Sequence, residues 1–180
     1  METLTERLRL RMWRDDDLEP LAAMDADPEV MRYIADGSPR PREQAAGTLV
    51  RLRQGWQDRG FGLFAVEVRE TGQFAGWAGL AVPEFLPEVM PAVEIGWRLG
   101  REHWGRGYAT EAAREVLAFG FGKLALEEIV SIAHVDNHAS LRVMAKLGMR
   151  PTSRTTVPAS GAPVEVTAIT SAEYAAAEGR

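Results

Sequence analysis

Apolar positions along this chain follow two periods. Alternation over Leu8–Trp13 predicts a strand, and the same pattern over Phe61–Arg69 and Gln73–Val82, broken by Glu70-Thr71-Gly72, predicts a hairpin. Ala92–Leu99 and Glu128–His134 predict two further strands, the first of them central. Met149–Val157 and Val164–Thr170 predict the last two, flanking a Ser160-Gly161 turn. Helical spacing takes over elsewhere. Ala45, Leu49, Leu52 and Trp56 repeat on one face between Pro41 and Gly60. Ala109, Ala112, Ala113, Val116 and Leu117 mark a strongly amphipathic helix reaching about Phe121. Asp15 or Asp16 starts a short helix to about Met24, and Asp27-Pro28 is a second helix start with proline at the first helical position. Asn137 caps a helix over His138–Leu147, which Gly148 closes.

The resulting order, β-α-α-α-β-β-β-α-β-α-β-β, is α/β (mixed α+β): a mixed sheet with helices on both faces, not an uninterrupted βαβ series. Residues 1–180 read as one domain. Pro83–Pro91, with three prolines, is a loop. Ser171–Arg180 is a frayed tail or a short terminal helix.

Composition narrows the class. Apolar residues make up 46% and charged residues 26%, an ordinary globular balance. No apolar run approaches the ~20 residues that span a bilayer, and METLTERLRLRMW lacks the apolar core of a signal peptide. The expected location is cytoplasmic, with no membrane partner. The absence of cysteine removes disulfides, thiolate zinc sites and a cysteine nucleophile. Net charge is −5 and uneven. Asp15, Asp16, Asp17, Glu19, Asp25, Asp27 and Glu29 crowd the early helices as a solvated acidic face, while Arg98, Arg101, Arg106 and Arg114 surround a glycine loop. An acidic chain is a poor generic nucleic-acid binder, so none is expected.

That loop, within RLGREHWGRGYATEAA (98–113), links a strand to the amphipathic helix. Gly105 and Gly107 let backbone approach a ligand, and the free N–H groups of a first helical turn favour phosphate. A P-loop would need Lys-Ser/Thr where Arg106-Gly107 stands. A dinucleotide fingerprint fails at Thr110, although Glu127 and Glu128 lie near the spacing of a ribose-binding acid.

A third cradle, for the pyrophosphate of coenzyme A, fits the whole chain. TERLRLRMWRDDDLEPL, GQFAGWAGL, VEIGWRLGREHWGRGYATEA and NHASLRVMAKLGM, in that order, resemble the GNAT acyltransferase superfamily. The likeness is greatest to the branch of the ribosomal-protein alanine and serine N-acetyltransferases. The resemblance implies a central mixed sheet of about seven strands, splayed between the fourth and fifth strands. It also implies acetyl-CoA as cofactor and an amine acceptor, either a protein N-terminus or a small molecule. The pantetheine arm would pair with main chain around Trp97, Arg98 and Leu99. The pyrophosphate would sit on Trp104, Gly105, Arg106, Gly107, Tyr108, Ala109 and Thr110, with Trp104 replacing the superfamily's usual Gln or Arg. Asn137 and Ser140 would face the sulfur end. A homodimer is compatible with the resemblance.

Chemistry constrains the rest. A lysine amine costs roughly 4.6 kcal/mol to neutralise at pH 7, an α-amine only about 1.1 kcal/mol. Glu94, on the strand face shared with Gly96 and Arg98, is the candidate base; an ordinary ion pair is its alternative. Met144 stands where many relatives carry a tyrosine acid and cannot donate a proton; the resemblance to this branch, in which the Ser140 position can take that part, makes Ser140 the candidate donor to the leaving thiolate. Without cysteine, direct transfer in a ternary complex is favoured. His134 and His138 lack a third ligand, so no metal site is expected, and His103 reads as surface. The resemblance implies that Asp27–Ser38 and Pro83–Pro91 border the acceptor, with Glu84, Glu88 and Glu94 placed to attract a cation and Phe85, Leu86 and Met90 to form an apolar wall. A catalytically silent acyl-CoA-binding module and a nucleotide-dependent oxidoreductase are the competing readings.

Overall fold

A computed structural model describes residues 1–179. Eight strands form one sheet: β1 (Glu2–Leu4), β2 (Leu8–Arg11), β3 (Leu63–Val68), β4 (Phe74–Ala81), β5 (Glu94–Leu99), β6 (Glu128–His134), β7 (Arg150–Thr156) and β8 (Pro163–Thr170), in spatial order β1-β2-β3-β4-β5-β6-β8-β7. Among the described residues, only β5 and β6 run parallel; every other neighbour pair is antiparallel. The helices are α1 (Leu18–Asp25), α2 (Pro28–Met31), α3 (Arg42–Arg59), α4 (Tyr108–Ala118), α5 (His138–Lys146) and α6 (Ser171–Glu178).

The predicted architecture stands, with one more strand than the alternation pattern showed. Three residues are too few to display a period, yet Thr3 pairs with Leu10 and makes β1 the sheet's edge. The amphipathic helix ends at Ala118 and continues as a π-turn over Phe119–Lys123. The C-terminal segment is a helix because Thr170 and Glu173 form a capping box; Arg180 lies outside the described residues.

The two sheet faces bury different helices. Leu8, Leu10, Phe64, Val66, Ala78, Leu80, Ile95 and Ile129 meet Ala112, Ala113, Val116 and Leu117 of α4 and Met144 of α5. Ala65, with Phe74 and Trp77, meets Leu21, Ala22 and Met24 of α1 and Ala45 and Leu49 of α3. Leu86, from the proline-rich loop, covers Val130, Val166 and Ala168. Arg11 docks the start of α1: its guanidinium takes Asp17 through two 2.8 Å hydrogen bonds and Glu67 through one of 2.9 Å, all three side chains being buried.

Gly76 sets the end of β5. Its φ is +140°, and an added Cβ would lie 2.1 Å from the Arg98 carbonyl oxygen and 2.7 Å from Leu99 Cα. Both contacts are backbone and cannot yield without moving the strand. Gly76→Ala is therefore expected to destabilise the protein by about 3 kcal/mol or more, read by urea denaturation. A loss below about 1 kcal/mol would show that the β4–β5 backbone relaxes there.

Candidate active site: an open strand pair and an unpaired loop

β5 and β6 share a single register pair, Glu94 with Val130. The Val130 N–H donates to the Val93 carbonyl (2.9 Å), and the Ser131 hydroxyl donates to the Ile95 carbonyl (2.9 Å). Strand parity then assigns the remaining groups. Main-chain groups of Ile95, Trp97 and Leu99 face β6, whereas those of Glu94, Gly96 and Arg98 face β4. The Gly100 N–H, donating to the Ala75 carbonyl at 3.0 Å, keeps this parity. The Leu99 carbonyl accepts the Trp104 indole N–H at 2.8 Å. Trp97, whose main-chain groups face β6, has no ladder partner there among the described residues. The sheet thus carries an open edge in its interior.

Because β5 and β6 are parallel, α4 and α5 both begin at the end where these strands part. The loop into α4 turns at Gly105 (φ +72°) and Gly107 (φ +81°), conformations that glycine adopts without steric cost. Among the described residues, no N–H from Gly105 to Thr110 has an acceptor within the chain, and no side chain caps α4. Only the Trp104 and Glu111 amides on either side are engaged, with the Arg101 and Gly107 carbonyls. A Cβ at Gly105 would meet nothing within 4 Å. Six adjacent unpaired donors at the positive end of a helix are an arrangement that favours an anion.

The predicted side chains divide between the two faces. Trp104 is 46% exposed and ties the loop to β5 through its indole. Arg106 is exposed, and Tyr108 and Thr110 are buried. Arg98 projects from the opposite face, where its guanidinium binds Asp25 at 2.8 Å and lies 5.0 Å from the Trp77 ring centroid. Burial pulls Arg98 below its ordinary pKa, and Asp25 opposes that shift. Asn137 accepts the Ser140 N–H at 3.2 Å as the cap of α5, which leaves the half-buried Ser140 hydroxyl without an intrachain partner among the described residues. Met144 is 2% exposed and belongs to the core.

Glu94 shares the Arg98 face. Desolvation raises its pKa to about 8, and a hydrogen bond from the Ile132 backbone opposes the rise. Tyr33 stacks on His134 at 5.2 Å, which brings the 27–38 segment over the end of β6. Several expectations change. His103 is buried, not at the surface, and its ring lies 6.3 Å from that of Tyr108. Leu86 is fully buried against β6 and β8, so only Phe85 and Met90 of the apolar trio face solvent. Glu84 is paired with Arg59 at 3.6 Å.

Two of the acids expected on a solvated face, Asp17 and Asp25, are buried, paired with Arg11 and Arg98. Leu18, Leu21, Ala22 and Asp25 fall at i, i+3, i+4 and i+7, and that spacing places Asp25 on the buried stripe of α1.

The open parallel pair and the unpaired loop are the candidate site, and the class of the protein follows from comparison with known proteins. Residues 7–150 match the family model "Acetyltransferase (GNAT) domain". The chain belongs to the GNAT family and is an acetyl-CoA-dependent acyltransferase. It is 35% identical over 148 residues to the protein YkkB of Bacillus subtilis (strain 168), covering 81% of this chain and 83% of that one. It is 35% identical over 150 residues to an FsC-acetyl coenzyme A-N(2)-transacetylase of Aspergillus fumigatus, covering 81% of this chain and 63% of that one. A solved acetyltransferase from Agrobacterium tumefaciens superposes with a TM-score of 0.80 at 26% identity over 94% of each chain. Among the described residues, no helix is long and apolar enough to cross a membrane.

The raised Glu94 pKa has a consequence for stability. Between about pH 4.5, its ordinary value, and about pH 8 the folded state holds a proton that the unfolded state releases. Stability therefore falls as pH rises through that window. The stability of the wild type relative to Glu94→Gln is expected to drop by about 1 kcal/mol per pH unit there, measured by urea denaturation. Parallel pH curves for the two proteins would show that Glu94 is not desolvated.

Proposed function

We propose that this chain moves an acetyl group from acetyl-CoA to a primary amine by direct attack in a ternary complex. The run of unpaired amides from Gly105 to Thr110, at the mouth of the β5–β6 gap, carries this reading. These donors suit a diphosphate. The Trp97 main chain, without a ladder partner on β6, suits an amide-bearing arm added as a strand. When bound, acetyl-CoA supplies a thioester carbonyl for attack and a thiolate as leaving group.

The chain's own groups divide the proton work. Glu94, on the acceptor side of the gap, accepts the proton that the amine loses, and a base near pKa 8 is matched to that task at physiological pH. Ser140, at the start of α5, donates a hydrogen bond to the leaving sulfur; Asn137 orders the turn that places it. Met144 offers no proton and serves as packing. The lack of cysteine favours a single direct transfer. The resemblance to the ribosomal-protein alanine and serine branch supports a protein N-terminus or a small-molecule amine as acceptor, with residues 1–180 acting as one cytoplasmic domain. The buried, apolar Met144 favours a second reading, a silent acyl-CoA-binding module.

Thermal denaturation with acetyl-CoA, CoA, NAD and ATP in parallel tests the cradle. Ligand at 100 times its Kd is expected to stabilise the protein by about 2.7 kcal/mol for the CoA compounds only. Gly107→Val should abolish that gain, because a branched side chain would crowd the loop. Stabilisation by NAD alone would overturn the proposal.

Steady-state kinetics with an amine acceptor test the chemistry. Ser140→Ala should lower kcat on the order of 10- to 100-fold while CoA binding persists. In the wild type, kcat/KM should rise with pH toward an inflection near 8 that Glu94→Gln lacks. CoA binding without turnover of any amine would establish the silent module instead.

A further inference from the structure

Arg7 occupies the turn between β1 and β2, far from the loop in sequence, yet it grips that loop at two points. Its Nη1 donates to the Arg106 carbonyl at 2.8 Å. Its Nε donates to Glu111 Oε2 at 2.7 Å, and its Nη2 lies 2.6 Å from the same oxygen. The Arg7 backbone N–H (2.8 Å) and the Thr5 hydroxyl (2.5 Å) both donate to Glu111 Oε1. The guanidinium carbon sits 4.9 Å from the Tyr108 ring centroid. Nη2 lies 3.3 Å from where a Cβ on Gly107 would be, the sole atom of the described residues within 4 Å of that point outside the adjoining residues and the helix's own backbone.

Two physical consequences follow. A trans peptide is planar, so its carbonyl and the following N–H point in opposite directions. Fixing the Arg106 carbonyl toward Arg7 therefore fixes the Gly107 N–H toward the side of the loop away from Arg7. Glu111, in the first turn of α4, would by itself oppose an anion bound at that helix end. Burial pushes its carboxyl pKa up, but donation from Thr5 and Arg7 outweighs this and holds it below the ordinary value, so it is ionised. The Arg7 charge lies directly against it.

We infer that Arg7 is a positioning residue of the diphosphate loop: it orients the Gly107 amide toward the ligand and cancels the Glu111 charge beside it. This inference rests on the CoA reading above. Its signature is selectivity for a phosphate-bearing donor, because a phosphate-free donor does not touch the loop. Arg7 is 45% exposed, so its truncation leaves the core intact.

The test compares kcat/KM for acetyl-CoA with that for S-acetylpantetheine. Arg7→Ala is expected to lower the ratio of the two roughly tenfold. Adding Glu111→Gln should recover part of that loss, since it removes the repulsion but not the misoriented amide. Arg7→Lys, which keeps the charge but cannot fork to both acceptors, should fall between wild type and Arg7→Ala and serves if the alanine variant fails to fold. An unchanged ratio, or an equal fall with both donors, would overturn the inference while leaving the proposed function standing. Failure of the wild type itself to bind CoA would overturn the functional reading, and this inference with it.

Discussion

Two parallel strands that meet at one residue pair and then separate are the constraint on which the rest of this structure depends. Parallel pairing normally continues along a ladder, because each unpaired buried amide is costly. Here the ladder stops after Val130 bonds to Val93, and the Ser131 hydroxyl takes the Ile95 carbonyl that the next rung would have used. The Trp104 indole takes the Leu99 carbonyl further along. Side chains thus satisfy two of the carbonyls that the separation exposes, and Trp97 between them has no ladder partner on β6.

The helix starts complete this arrangement. Parallel strands bring the N-termini of α4 and α5 to one end of the sheet, so the loop donors, Asn137 and Ser140 converge without adjacency in sequence. The N-terminal segment closes the loop from outside through Thr5 and Arg7 on Glu111, and Thr3 continues the same contact to Glu115 at 2.5 Å. On the opposite face the Arg98–Asp25 pair fixes α1 against β5, beside Glu94. In the proposed reaction, cofactor and acceptor would therefore be served by different helices on different faces, with the gap in the sheet between them.

Much of this was legible in residue order. The alternation over β3 and β4, the alanine-rich stripe of α4, the Asn137 cap and the glycine pair at 105 and 107 each encode local geometry through a short-range cause: side-chain period, capping chemistry or freedom at positive φ. Asp25 was legible too, since it lies on the apolar stripe of α1. His103 was not, because its burial depends on the fold around it and not on its neighbours in sequence.

What the sequence by itself determined is the set of elements, their order and the positions where backbone is left free, because these follow from interactions within a few residues. Only the tertiary structure decided which residues of β5 lack a ladder partner on β6, that Glu94 is desolvated enough to hold its proton to about pH 8, and that Arg7 meets Arg106 and Glu111. Those outcomes depend on strand register and on contacts separated by about a hundred residues. No local period records such contacts, because the pairing of distant segments is settled by the packing of the whole sheet.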